Sequence, residues 1–247
     1  MAGRKVRQPF LFGAMVTGMS TQATKTNVPL VCVSCHERLN GPFVCGSCGK
    51  LQPTEGTDYF ALFGLQRKLW LEMGALEQKF LQLSWKLHPD NFVNAREEDR
   101  ELSLKRSSEL NDAYRALKDP VARVEYLLAI EGERKEGEKK QQAPPELLEE
   151  VFELNESLDE LREAKAAGLE LDEMKERLHS AEEHFGKKLA EVDAEMQETA
   201  KDWDKAVDSN ADETTRKKIM TRLNEHLNRR SYIRNLVLSV AKELAEA

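Results

Sequence analysis

Beyond residue 48 the chain has no cysteine; all four sit at positions 32, 35, 45 and 48 of 247. That argues against disulfides spread through a small secreted fold and towards a local metal site. No stretch approaches the roughly 20 consecutive apolar residues that a membrane-spanning helix needs, so no membrane integration is expected. Valine and isoleucine are few, and outside the cysteine region no alternation of apolar and polar residues reads as a strand. A concentrated basic surface is also missing: the net charge is −7, which argues against nonspecific nucleic-acid binding. Acidic residues total 44, yet none precedes Glu37. Residues 1–30 carry Arg4, Lys5, Arg7 and Lys25 with several Ser and Thr. That composition leads us to expect a targeting segment for the mitochondrial matrix, with a disordered tail or a cytoplasmic pool as the alternatives.

What is present is 40% hydrophobic and 33% charged, the balance of a mainly α protein with solvated helix faces. The cysteines form two pairs, Cys32-Val33-Ser34-Cys35 and Cys45-Gly46-Ser47-Cys48. Two such knuckles bring four thiolates around one tetrahedral zinc, and a closed four-thiolate site has no open position for substrate, so the metal is expected to be structural. Gly46 and Gly49 are expected to let the backbone turn around the second pair. Two disulfides or a redox-active pair remain the alternatives. His36 is read as a surface residue. The segment could dimerise, contact the bundle or recruit another factor.

After a joint at 53–57, Thr57 or Asp58 can cap a brief helix carrying Tyr59, Phe60, Leu62 and Phe63, with Gly64 at its end. Leu76, Phe80, Leu83 and Leu87 then recur at the spacing of one helix face. That helix delivers His88-Pro89-Asp90 to its own end, because Pro89 lacks an N–H and pushes His88 out of the α region. Asp90 suits the turn, its carboxylate being able to accept from nearby backbone N–H groups. A second helix carries Leu102, the stem of Arg106, Leu110, Ala113 and Leu117 and can run back antiparallel. Asp119-Pro120 begins a third.

Residues 131–142 alternate acids and bases without an apolar side chain and read as a linker in which nothing can be buried. Pro144-Pro145 then starts a helix with Leu147, Leu148, Val151, Phe152, Leu154, Leu158 and Leu161, a stripe wider than one packing seam requires. Gly168 interrupts it. Two long helices, from about Asp172 to Val207 and from about Asp212 onward, complete an antiparallel three-helix bundle. Between 146 and 163 there are eight acids and one Arg, so charge alone would steer a basic partner. No nucleophile–base pair, phosphate-binding glycine loop or convergent carboxylate pair is evident, and no enzymatic activity is expected.

The run Asp58-Tyr59-Phe60-Ala61-Leu62-Phe63-Gly64-Leu65, the triplet His88-Pro89-Asp90 and the run Leu110-Asn111-Asp112-Ala113-Tyr114 to Asp119-Pro120 together resemble a J domain. With Arg123-Val124-Glu125-Tyr126-Leu127-Leu128 and the 147–158 segment, the chain is similar to the HscB family, J-type co-chaperones of iron–sulfur cluster assembly. Its tetracysteine segment is like that of metazoan-type members. The resemblance implies a zinc module at 31–53 with ligands Cys32, Cys35, Cys45 and Cys48, a J-domain hairpin at 57–130, a charged linker at 131–143 and a three-helix bundle at 144–247. It implies that His88, Pro89 and Asp90, supported by Lys79 and Lys86, contact a 70-kDa heat-shock-class chaperone and stimulate its ATPase. It also implies that Leu148, Phe152, Glu153, Glu156, Glu160 and Tyr232 bind the iron–sulfur scaffold protein. A homodimer is compatible with the sequence, and a general J protein delivering unfolded clients is the alternative function.

Overall fold

The computed structural model describes residues 31–41, 43–53, 56–134 and 144–247. The expected targeting segment at 1–30 and most of the expected linker lie outside those residues. Within them the chain is built from helices, with only isolated β-bridges at the cysteine knuckles.

Helix α1 (Tyr59–Leu62) is a single turn capped by Asp58, whose carboxylate accepts from Ala61 N–H at 2.9 Å. Helix α2 (Met73–Leu87) starts at the Glu72 cap and buries Leu76 and Leu87, with Phe80 and Leu83 half-buried. It meets α3 (Glu97–Lys118) as an antiparallel pair, in which Phe80 stacks on Tyr114 with centroids 4.1 Å apart. Glu97, Glu98 and Asp99 in the first turn of α3, and Arg115 and Lys118 in its last, each oppose the partial charge of that helix end. Asp119 caps α4 (Pro120–Ile130), and Val124, Leu127 and Leu128 return it to the pair. Stacking of Tyr59 on Tyr126, with the Tyr126 hydroxyl accepting from Tyr59 N–H at 2.8 Å, ties α1 to α4. Burial pushes that hydroxyl up to about 12.

The C-terminal part consists of α5 (Leu148–Ala166), α6 (Asp172–Asp208) and α7 (Glu213–Glu246). Gly168 at φ +67° and Asn210 at φ +49° turn the chain between them, a conformation that Gly and Asn tolerate best. The lengths are unequal: 19 residues for α5 against 37 and 34 for its partners. Helix α5 therefore covers only the base of the α6–α7 hairpin, where Leu154, Leu158 and Leu161 meet Leu178, Phe185, Val192, Ile233 and Val240. Over the outer half of the hairpin the α1–α4 unit takes the place of α5. Met196, Trp203, Ala206, Met220, Leu223 and Leu227 share one core with Phe60, Leu76, Leu110 and Leu127.

The α1–α2 loop is strapped to the hairpin end. Asp204 accepts from Leu69 N–H at 2.7 Å and Trp70 N–H at 2.8 Å, and the Trp203 indole donates to Arg67 carbonyl at 2.7 Å. Lys68 adds an ion pair to Asp208 at 2.5 Å.

The expectation that nothing in 131–142 can be buried fails at its start. Arg134 is only 13% exposed in its side chain and donates to Asn224 at 2.8 Å and Asn228 at 3.0 Å on α7. Glu131 pairs with Arg67 at 2.7 Å. A charged side chain can enter a partly buried site when its donors all find acceptors, and composition alone does not reveal those acceptors.

Candidate functional site

The turn at His88-Pro89-Asp90 is held from beneath. Leu87 ends α2 fully buried, and its free carbonyl accepts from Ser103 Oγ at 2.7 Å and Ser107 Oγ at 3.0 Å on α3. His88 leaves the helix at ψ 131°, and Pro89–Phe92 forms one 3-10 turn closed by Asn91 N–H to His88 carbonyl at 2.9 Å. Asn91 Nδ2 also donates to Trp85 carbonyl at 2.6 Å. The roles inside the turn are reversed from expectation. His88 Nδ1 accepts from Asp90 N–H at 3.3 Å, while the Asp90 carboxylate receives no backbone N–H among the described residues. That carboxylate is 83% exposed, with the His88 imidazole 3.5 Å away. The 3-10 turn brings the Asp90 amide back to the imidazole, which leaves the carboxylate facing outward.

Of the two expected supporting lysines, Lys86 is exposed in the last turn of α2. Lys79 is half-buried and donates to Phe63 carbonyl at 2.9 Å, so its ammonium braces the end of α1. Beside the turn, the outer face of α2 carries Leu81 at 59% and Trp85 at 80% exposure. The sequence reading gave neither a role. Their spacing of four, off the Leu76–Leu87 stripe, was the signal available.

On α5 the wide stripe divides into two faces. Leu147, Leu154, Leu158 and Leu161 go to the core, whereas Leu148 and Phe152, one turn apart, are 55% and 64% exposed. Glu153, Glu156 and Glu160 are exposed too. Glu160 is paired with Arg177 at 2.7 Å, and Glu150 is pinned by Lys188 at 2.8 Å and His184 at 2.9 Å. Burial tends to raise the Glu150 carboxyl, but bonds from Lys188 and His184 prevail and hold it below its ordinary value. Tyr232 lies on α7, half-buried against the second core, so its ring is less open than the α5 pair.

The cysteines converge. Their four Sγ atoms lie within 4.8 Å of one another, with Cys32–Cys48 and Cys35–Cys45 each 3.6 Å apart. None is disulfide-bonded, and a tetrahedral ion with metal–sulfur bonds of about 2.3 Å asks for sulfurs roughly 3.8 Å apart. The residues fit a metal ion. Each knuckle is closed by an isolated bridge, Val31 with Arg38 and Val44 with Leu51. The left-handed residue after each second cysteine is His36 at φ 59° in one knuckle and Gly49 at φ 73° in the other. Gly46, by contrast, has ordinary φ and open space around it, so its lack of a side chain is not what the turn requires. Backbone donation from Cys35, opposed by burial and reinforced by Ser34, lowers the Cys32 thiol to about 6. Cys35 accepts from Glu37 N–H, yet burial and the neighbouring sulfurs push it up to about 12.

Buried Gln52 joins the halves of this module, donating to Cys32 Sγ at 3.3 Å and Lys50 carbonyl at 2.7 Å while accepting from Val33 N–H at 3.1 Å. The segment docks within the chain, and its polar contacts among the described residues are to α3 and not to the bundle. Phe43 and Leu51 enter the first core, Arg106 of α3 donates to Gln52 carbonyl at 3.2 Å, and Lys50 pairs with Asp99.

Comparison with known proteins follows this division. A sequence model described as the HSCB C-terminal oligomerisation domain matches residues 143–228. A co-chaperone protein HscB homolog of Aliivibrio salmonicida is 41% identical over 104 residues, covering 42% of this chain and 61% of the relative. A homolog of Vibrio vulnificus is 34% identical over 151 residues, covering 61% of this chain and 85% of the relative. The chain thus spans less than two thirds of the Aliivibrio salmonicida relative and most of the Vibrio vulnificus one. The crystal structure of human co-chaperone protein HscB superposes with a TM-score of 0.57 at 23% identity, covering 88% of this chain and all of that one, a likeness of fold. Among the described residues no helix is long and apolar enough to cross a membrane.

Proposed function

This chain belongs to the HscB family of co-chaperones, and from that premise we propose that it carries the iron–sulfur scaffold protein to a 70-kDa heat-shock-class chaperone and stimulates the chaperone's ATPase. The observation that supports this reading best is the outward display of Leu148 and Phe152 in an acidic surround, on a helix whose other leucines are all buried. An apolar pair flanked by Glu153 and Glu156 suits a folded partner with an apolar patch and a basic rim. At the other working end, Asp90 and His88 offer a charge and an imidazole on a turn braced by Ser103, Ser107 and Asn91. Helix α2 runs from the hairpin strap to that turn, about 22 Å for its 15 residues. The strap fixes where the turn points relative to α5.

Steady-state ATP turnover by the chaperone, with scaffold and this protein added, tests the proposal. His88→Gln is expected to abolish stimulation and leave scaffold affinity unchanged. Phe152→Ala is expected to weaken scaffold binding by about 10- to 30-fold, the effect of removing one interface anchor. Stimulation that survives His88→Gln would sink the reading. Binding of unfolded polypeptide in preference to the folded scaffold would favour a general J protein.

We read the metal as zinc, since four soft thiolates in a closed tetrahedron favour it, and elemental analysis of the purified protein checks this. A held ion keeps the thiolates from redox cycling. We read residues 1–30 as mitochondrial targeting, tested by the location of a fluorescent fusion. Light scattering distinguishes a homodimer from oligomerisation through the scaffold alone.

A further inference from the structure

Where the α1–α2 loop, the start of α4 and the middle of α6 meet, they leave an open pocket of about 320 Å³. Its walls are apolar, formed by Leu69, Leu71, Met73, Val124, Met196 and Ala200. Trp70 stands at the mouth, 77% exposed, although its neighbour Leu69 is buried. The backbone beneath the indole is fixed, because Asp204 holds both the Leu69 and Trp70 N–H groups. The ring is therefore presented to solvent by a rigid segment.

Charge indicates the occupant. Lys118 and Lys201 are exposed at the rim, and no acidic residue lines the pocket of a chain that carries 44 acids and a net charge of −7. Lys201 pairs with Glu198 at 2.6 Å, a surface contact that an incoming carboxylate can displace. The floor cation does not take part, since the buried Arg123 guanidinium is spent on the carbonyls of Leu117, Lys118 and Leu69. Trp70 and Met73 line the pocket and are themselves exposed, so its apolar lining runs out to the surface, where an extended chain can lie across the mouth. Exposed Trp and Met beside a concavity are the composition of protein-recognition surfaces.

We propose that this pocket docks an apolar, acid-flanked segment of a partner protein. An aromatic or branched aliphatic anchor enters between the α1–α2 loop and α6, and flanking carboxylates meet Lys118 and Lys201. The site lies at the opposite end of α2 from the His88 turn and away from the α5 face, so it does not depend on the function proposed above. It exists only while the α1–α4 unit is strapped to the hairpin.

The test uses the full chain bearing Trp85→Phe. This leaves Trp70 as the exposed indole, because Trp203 is buried. A panel of synthetic peptides, each with one aromatic or aliphatic anchor between Asp and Glu residues, is titrated against tryptophan emission beside the same anchors between lysines, and beside decanoate. The expected result is a saturable blue shift with acidic members, bound about tenfold more tightly than their basic counterparts. Binding should be lost in Ala200→Phe, which fills the pocket, and weakened by about tenfold in the exposed double variant Lys118→Glu, Lys201→Glu, whose fold is checked by circular dichroism. No saturable response from any acidic member, equal binding of basic members, or persistence in both variants overturns the proposal. Saturable binding of decanoate without that of peptides would also overturn it, in favour of a small amphiphile.

Discussion

Replacing Asp204 by Ala removes the carboxylate that holds the α1–α2 loop to the hairpin. Two backbone N–H groups, those of Leu69 and Trp70, lose a charged acceptor, and such bonds contribute about 1.5–3 kcal/mol each. Trp70 N–H is exposed and can turn to water, which cancels most of its share, and the variant no longer buries half a carboxylate. A net loss of about 1–2 kcal/mol follows, nearly all of it from the Leu69 side. Asp204→Asn keeps one acceptor oxygen but turns an NH2 towards the second donor, for a smaller loss of about 0.5–1 kcal/mol.

Urea unfolding followed by circular dichroism measures both variants, and hydrogen exchange at Leu69 and Trp70 locates the effect. The pH dependence adds a second check. Burial raises the Asp204 carboxyl above its ordinary value in spite of the two amide donors. A native value above the unfolded one means that the folded state keeps its proton longer. This group's contribution is therefore complete below the unfolded value and is lost as pH rises through the native one. The stability gap between the native chain and Asp204→Asn should accordingly narrow as pH rises through that window. A gap that widens would mean that the two amide donors outweigh burial at this carboxyl, and an Asp204→Ala loss below about 0.5 kcal/mol would refute the strap.

Three other expectations concern separate parts of the chain. At the knuckles, His36→Gly should stabilise the module by up to about 1 kcal/mol, while Gly49→Ala should cost about 1–2 kcal/mol, because both positions are left-handed; competition with a chelator reads both. Stripping the metal should expose the 43–51 segment to protease while α2 and α3 stay helical, since those helices keep their own apolar partners; loss of most helical signal would contradict this. Leu81→Ala with Trp85→Ala should change stability by less than about 0.5 kcal/mol, both side chains being exposed, yet reduce ATPase stimulation if the outer face of α2 meets the chaperone.

The parts of the fold that could be read from sequence are those set by local chemistry. Pro89 and the Asp119-Pro120 step stop and restart helices by removing an N–H, whatever the rest of the chain does. Two CxxC pairs predict their own convergence. What resisted reading depends on partners distant in sequence. Arg134 looked like linker because Asn224 and Asn228, its acceptors, lie about 90 residues away. On α5 the width of the stripe marks a surplus over one packing seam, but periodicity alone does not say which of its residues face outward. Lys79 looked like a free cation, and only the placement of the α1 carbonyls shows that it is a brace. The left-handed turn at His36 had no glycine to mark it.

The first core also bears on synthesis. It draws on residues from Phe43 to Leu227, so the α1–α4 unit has no finished neighbour for Leu69 or Val124 when its own last residue leaves the ribosome. Nearly a hundred further residues must emerge before α7 can close that side. During translation the nascent unit presents an unsatisfied apolar face, and its α1–α2 loop has no Asp204 to hold it. A premature stop in α6 would therefore leave the Leu69 and Val124 side of the N-terminal unit without its cover.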